Sequence, residues 1–246
     1  MRALLFPGQG SQSVGMGLDL YKRYELVKKI FKEADDKLNY PISKIILEGP
    51  ESELKLTQNT QPAILTISYS IFKLIKEEFN INFDGNVKYF AGHSLGEYSA
   101  LVACGSLNFG DALKLLFERG KYMQSAVPEG KGLMLAVMGL KVSEIDKYIN
   151  YVKNKGVCEI ANDNSNGQVI LSGDKEAVNE ANIVLKKNKI RSIFLPVSAP
   201  FHCSLMRPAA EKMNAKIQSI TFKDPDIELI SNVTAEPIKD SNKIKN

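Results

Sequence analysis

Residues Ala91–Tyr98 read AGHSLGEY, a serine set between two glycines where a short apolar run gives way to a helix-forming one. The pattern Gly92-x-Ser94-x-Gly96 suits a sharp strand-to-helix turn, which forces the serine into a strained backbone conformation and pushes its hydroxyl outward, as a nucleophile requires. The flanks agree with that reading. Val87–Ala91 can form a short buried strand, and Glu97–Cys104 carries alanine and leucine without proline until Gly105 stops it. The two glycines let backbone segments approach with no Cβ between them. Taken bare, the five-residue pattern also fits an ordinary tight turn; the strand before it and the helix after it favour the nucleophile.

Working outward, the 246 residues are enough to bury a full core, and 44% hydrophobic with 24% charged places the chain among globular proteins. The opening MRALLFP is halted by Pro7 and Gly8 before it reaches the length of a signal-peptide core, and no apolar run is long enough to span a bilayer. A cytoplasmic location without membrane partners is expected. Cys104, Cys158 and Cys203 are odd in number and lack CxxC spacing, so they indicate neither a disulfide framework nor a metal site. A net charge of +4 is too mild for a nucleic-acid binder. The densest basic run, Lys186–Arg191, reads as a solvated face or a docking patch for an acidic partner.

Strands alternating with helices argue for a parallel α/β sheet. Arg2–Phe6 reads as a strand, and Leu26, Val27, Ile30, Phe31 and Ala34 follow helical spacing. Thr60-Gln61-Pro62 opens a further helix, with Ile64, Ile67, Ile71, Phe72 and Ile75 inward. A helix from Asp111 to Arg119 follows the elbow. Between residues 130 and 197 the rhythm changes to strand Leu133–Met138, helix Ser143–Tyr151, strands Val157–Ala161 and Gln168–Leu171, helix Lys175–Lys186 and strand Arg191–Val197. That is βαββαβ, the ferredoxin-like order, with Asn162–Gly167 (NDNSNG) as the loop between the middle strands. The expected organisation is a large α/β domain, 1–129 and 198–246, interrupted by a small one, 130–197, with an active-site cleft between the two.

Ser94 needs a base, and the chain has only two histidines. His93 is the sequence neighbour of Ser94 and points elsewhere, so it reads as a structural or substrate-bonding residue; His202, in PVSAPFHCSL, is the base by elimination. Acyl chemistry also needs oxyanion donors. The Leu95 amide follows the nucleophile, and the loop Gly8–Gln12 after the first strand is the candidate source of a second. That loop lacks the third glycine of a nucleotide fingerprint. Asp111, Asp146, Asp163 and Asp174 do not sit clearly at strand ends, so no Ser-Asp-His triad is visible, which weakens a plain hydrolase. Arg119 by itself reads as a charge complementing a helix C-terminus.

Six separated stretches, FPGQGSQ, TQPAILT, GHSLGEYSAL, RGKYMQ, GQVILSG and SAPFHCSLM, in this order resemble the malonyl-CoA:acyl-carrier-protein transacylases of fatty-acid synthesis. The match runs from residue 1 to about Asn232. The resemblance implies an α/β-hydrolase-like large domain with a ferredoxin-like insertion, in agreement with the order above. It implies Ser94 as nucleophile, His202 as base and the amides of Gln9 and Leu95 as the oxyanion hole. It further implies Arg119 as the partner of the malonyl carboxylate, with Gln61, His93, Phe201 and Asn162 around the acyl pocket. The planar fork of an arginine suits a carboxylate better than lysine does. Malonyl-CoA and acyl carrier protein are the implied partners of a monomeric enzyme without a resident cofactor or metal. The rival readings are a serine esterase or thioesterase, and a non-catalytic remnant that binds coenzyme A or carrier protein. In the family a main-chain carbonyl orients the histidine, from a segment beyond the equivalent of residue 246 near a late GPG stretch. The present sequence departs from the family there, and the strand read at Ile227–Val233 is expected to leave apolar surface that KDSNKIKN is too polar and short to cover.

Overall fold

Two sheets organise the chain in the computed structural model, which describes residues 2–83, 85–197 and 199–245. The strands are β1 (Ala3–Phe6), β2 (Tyr89–Gly92), β3 (Gly132–Met138), β4 (Cys158–Ser165), β5 (Gln168–Asp174), β6 (Ser192–Phe194), β7 (Glu228–Ile230) and β8 (Pro237–Ile238). The helices are α1 (Leu18–Arg23), α2 (Glu25–Leu38), α3 (Ile42–Glu48), α4 (Glu51–Leu54), α5 (Thr57–Lys73), α6 (Gly96–Ala103), α7 (Phe109–Ala126), α8 (Val142–Val152), α9 (Lys175–Lys187), α10 (Arg207–Gln218) and α11 (Ser241–Lys245). The chain forms two compact units, Met1–Lys121 with Met213–Asn246, and Tyr122–Lys212. The second is wider than the span 130–197 read from the strand and helix order, because it takes in the end of α7 and the segment leading into α10.

The first unit is built on the sheet β1-β2-β7-β8. β1 and β7 both run parallel to β2, so the loops after all three strands open at one carboxyl edge. Apolar faces of α2, α3, α5 and α7 supply the buried Phe31, Ile42, Ile46, Ile64, Leu65, Leu113 and Leu116. Phe6, Phe72, Phe83 and Phe90 pack edge-on and stacked at the sheet, with Phe72 and Phe83 centroids 5.2 Å apart. The strand read at Ile227–Val233 is only Glu228–Ile230, with Leu229 buried and β8 folded back antiparallel on it, while Val233 beyond its end is 94% exposed, as apolar surface was expected to be there. The sheet ends at β1 on one side and at β8 on the other, and Leu5 of β1 is 75% exposed.

Two helix readings are corrected. α5 begins at Thr57, a turn before Thr60-Gln61-Pro62, so Pro62 lies inside the helix. Asn59 and Thr60 look like capping residues, but their side chains donate to the carbonyls of Glu53 and Leu54 at 2.9 and 2.6 Å and tie down the preceding turn. Ile71, expected inward, is exposed on a surface groove. The helix bearing Arg119 runs on to Ala126, so Arg119 is mid-helix and the C-terminal dipole reading is withdrawn. Gly120 imitates a helix stop; it serves a close crossing instead, since a Cβ there would meet Gln58 Cα at 2.4 Å.

The second unit carries the antiparallel sheet β4-β5-β3-β6, the ferredoxin-like order expected from the sequence. α8 and α9 cover one face over Leu135, Val137, Ile145, Val169, Leu171 and Leu185. On the other face Met134, Ala136 and Ile170 pack with Met123, Phe201 and Met206. The loop read at Asn162–Gly167 is mostly strand: β4 continues to Ser165 through two register shifts, and only Asn166 and Gly167 turn the chain. The last strand is shorter than Arg191–Val197, ending at Phe194.

Candidate active site

β2 ends at Gly92, the His93 amide donates to the Phe6 carbonyl of β1 at 3.0 Å, and α6 begins at Gly96. Within that three-residue reversal Ser94 takes a φ of 54°, a left-handed conformation unfavourable for a residue with a Cβ. The reversal is tight enough that a Cβ on Gly92 would lie 1.9 Å from the Gly96 carbonyl carbon, which explains the first glycine of the motif. The Ser94 amide donates to Asn232 Oδ1 at 2.7 Å, and Asn232 Nδ2 donates to the Gly92 carbonyl at 2.6 Å.

Arg119 reaches this turn from α7. Its guanidinium donates to Gln61 Oε1 at 2.7 Å and to Ser94 Oγ at 3.2 Å, and lies 5.9 Å from the Tyr98 ring centroid. Gln61 is buried in α5 and aims the fork. No ion pair involves Arg119 among the described residues. Burial pulls its pKa below the ordinary arginine value, with Tyr98 and Glu97 opposing. Burial also raises the Glu97 carboxyl above its usual range, against the hydrogen bond from the Asn232 amide and the charge of Arg119. A guanidinium held beside a serine hydroxyl with no carboxylate salt-bridged to it is suited to receive an anionic group brought in by a substrate.

The loop after β1 lies against the same turn, with Gly8 in contact with His93, which is itself exposed. Ser11 ties the loop through its amide and hydroxyl to the Gly8 carbonyl, and the Gly10 amide donates to Gln12 Oε1 at 2.7 Å. Among the described residues no acceptor is found for the main-chain N–H of Gln9 or of Leu95. Two such donors at the carboxyl edge of adjacent parallel strands suit an oxyanion.

The remaining candidates belong to the second unit. His202 has a φ of 61° in the turn that follows Pro200. Phe201 is buried in the hydrophobic cluster on the helix-free face of the sheet. Asn162 pairs with Ile170 on β5 and therefore shares that face. The turn is anchored two residues after the histidine, where Glu159 accepts from the Ser204 amide at 2.7 Å and from its hydroxyl at 2.8 Å. Sequence reasoning passed over Glu159, Glu97 and Asn232. Glu97 follows the motif directly and was legible as a polar residue on an otherwise apolar helix, whereas Asn232 is 138 positions from Ser94 and carried no local signal.

The three cysteines are unpaired, and burial pushes the thiols of Cys104 and Cys158 up to about 11, which keeps them protonated and unreactive. Among the described residues no cluster of histidine, cysteine and carboxylate side chains is arranged to hold a metal ion, and no helix is long and apolar enough to cross a membrane. An apolar groove of about 780 Å³ lies between β1 and α5; Ser11 of the loop after β1 lines it, whereas Ser94, Arg119, Gln61 and His93 do not.

The family whose description is acyl transferase domain matches residues 3–244. The malonyl CoA-acyl carrier protein transacylase of Bacillus subtilis is 43% identical over 245 residues, 99% of this chain and 76% of the relative. Among solved structures, the acyl-carrier-protein-S-malonyltransferase of Bartonella henselae superposes with a TM-score of 0.95 at 42% identity, over 100% of this chain and 78% of that one. A type II PKS acyl-carrier protein in complex with its malonyl-transacylase matches with a TM-score of 0.93 at 40% identity, over 99% of this chain and 78% of the other.

Proposed function

The chain belongs to the acyl transferase domain family, and from that premise we propose that it carries a malonyl group from coenzyme A to the phosphopantetheine thiol of acyl carrier protein, for fatty-acid synthesis, by way of an ester on Ser94. The observation that carries this reading is Arg119. A half-buried guanidinium beside the Ser94 hydroxyl, with no carboxylate salt-bridged to it among the described residues, calls for an acyl group that ends in a carboxylate.

The chemistry runs in two halves. Ser94 Oγ attacks the thioester carbonyl while His202 takes its proton, and the carbonyl oxygen gathers negative charge opposite the amides of Gln9 and Leu95. The C–S bond then breaks, the proton passes to the leaving sulfur, and coenzyme A departs. The carrier-protein thiol attacks the malonyl ester with His202 again as base, and the Ser94 hydroxyl is regenerated. Arg119 holds the malonyl carboxylate through both halves. Gln61 orients that arginine, and His93, Phe201 and Asn162 are assigned to the walls of the acyl pocket on the family resemblance. No resident cofactor enters the scheme. Three unpaired thiols are consistent with the reducing cytoplasm, where we place the reaction.

The test is intact-mass spectrometry after mixing the protein with malonyl-CoA. A malonyl adduct that is absent in Ser94→Ala and discharged by carrier protein is the expected result. Rapid release of free malonate would make the protein a hydrolase, and no adduct on the parent chain would refute the reading.

A further inference from the structure

The nucleophile of this site stands on a backbone conformation that its own sequence does not favour. Ser94 has a φ of 54°, and the local hydrogen bonds of the turn, Gly96 N–H to the His93 carbonyl at 2.9 Å and Glu97 N–H to the Ser94 carbonyl at 3.1 Å, hold the helix start without engaging the Ser94 amide. That amide and the Gly92 carbonyl are both taken by one side chain. Asn232 Oδ1 accepts from Ser94 N–H at 2.7 Å and Asn232 Nδ2 donates to Gly92 C=O at 2.6 Å. The assignment of the two amide atoms is unambiguous, because the flipped amide would set donor against donor and acceptor against acceptor.

Asn232 reaches the turn because of strand order. β7 runs parallel to β2 with Ala91 opposite Ile230, so the residue two beyond Ile230 emerges at the level of the elbow. Its backbone is fixed in turn. The Asn232 amide donates to Glu97 Oε1 at 3.2 Å, and Ser231 is buried and accepts through its hydroxyl from the Val233 and Thr234 amides. Asn232 thus bridges the two sides of the elbow from a braced neighbouring strand.

We propose that Asn232 is a positioning residue for acyl transfer: its carboxamide locks the left-handed conformation of Ser94, aims the hydroxyl, and by occupying the Ser94 amide leaves the Leu95 amide as the oxyanion donor at the elbow. The inference rests on the reading of Ser94 as the nucleophile. A carboxamide accepts with one terminal atom and donates with the other, so a single side chain serves Ser94 N–H and Gly92 C=O at once. Neither atom touches the substrate in this role, so the loss falls on the rate of acylation and leaves binding alone.

The experiment measures single-turnover acylation by malonyl-CoA, with labelling of Ser94 by a fluorophosphonate as a readout of serine reactivity that is independent of the acyl group. Asn232→Ala is expected to lower both rates about ten- to a hundredfold, with the malonyl-CoA concentration for half-maximal acylation unchanged within about twofold. Asn232→Asp separates positioning from folding. At neutral pH the introduced carboxylate accepts from Ser94 but repels the Gly92 carbonyl and the neighbouring Glu97. Once protonated it has a donor and an acceptor in the original places. Its rate relative to the parent at the same pH is expected to rise as pH falls, and that ratio cancels the titration of the base. Parental rates in Asn232→Ala, a changed half-saturation with an unchanged maximal rate, or a flat Asn232→Asp to parent ratio would each overturn the proposal, as would loss of fold in both variants, which would make Asn232 a residue of stability. A parent chain that labels at no serine would instead overturn the assignment of Ser94.

Discussion

Removing the Arg119 fork should separate malonyl from acetyl transfer, and the structure sets the size of the separation. Arg119→Ala removes the proposed pair with the substrate carboxylate, together with the 2.7 Å hydrogen bond to Gln61 and the 3.2 Å contact with Ser94 Oγ. The last two serve any acyl group. A net hydrogen bond contributes about 1 kcal/mol, so their joint loss slows acetyl and malonyl transfer alike by roughly one decade, the longer contact counting for little. The carboxylate pair serves malonyl alone. Leaving one partner of a buried pair uncompensated costs about 3–5 kcal/mol, and because Arg119 is half-buried the lower figure applies, about two decades in rate. The malonyl-to-acetyl ratio of single-turnover acylation should therefore fall about a hundredfold. Arg119→Lys keeps the charge without the planar fork and should recover part of it. The assay is the rate of acyl-enzyme appearance from malonyl-CoA and acetyl-CoA by intact mass. An unchanged ratio, with both substrates slowed equally, would show that Arg119 only braces Gln61 and Ser94, and the carboxylate role would be lost.

His202→Ala should slow acyl transfer by roughly two to four orders of magnitude, the usual contribution of a positioned base such as the one proposed here; a near-parental rate would pass the role elsewhere. Glu97 yields a pH signature. Burial raises its folded pKa above 4.5, so the folded state holds the proton more tightly than the unfolded chain, and stability is lost as pH rises from about 4.5 through the folded pKa. Glu97→Gln still accepts from the Asn232 amide but has no charge to bury, so its melting temperature should gain on the parent across that window and the gap should then level off. A gap that does not widen with pH would contradict the desolvation assigned to Glu97.

The legible parts of the fold were those whose signals are local. The elbow needs glycine where a Gly92 Cβ would collide with Gly96, and the Gly-x-Ser-x-Gly spacing that marks the strained turn is written within five residues. The βαββαβ order was readable because each element of the second unit buries one face, so its apolar period appears in its own sequence over Leu133–Met138, Gln168–Leu171 and Lys175–Lys186. The ends of elements were less legible. Asn59 and Thr60 have the chemistry of helix caps, and only the position of α4 made them tie down its carbonyls; Gly120 has the chemistry of a helix stop, and only the crossing of α5 made it a contact point.

Ser94, His202 and the loop around Gln9 could be singled out by residue type and order, because a serine between glycines, one of only two histidines and a glycine-bearing turn are chemically distinctive in any chain. Arg119 could not. Alone it is one of three cations on an amphipathic helix, and its standing beside Ser94 as a guanidinium with no salt-bridged carboxylate among the described residues arises when α5, α6 and α7 converge. Asn232 is the extreme case. Nothing near it in sequence distinguishes it from a turn residue after a short strand, and the parallel register of β7 on β2 alone carries it across 138 positions to the backbone of Ser94. Local periodicity and backbone sterics thus select the elements and the reactive side chains, while the partners that orient those side chains are decided by strand order and helix crossing, because hydrogen bonds and charge pairing depend on distances that a linear chain does not contain.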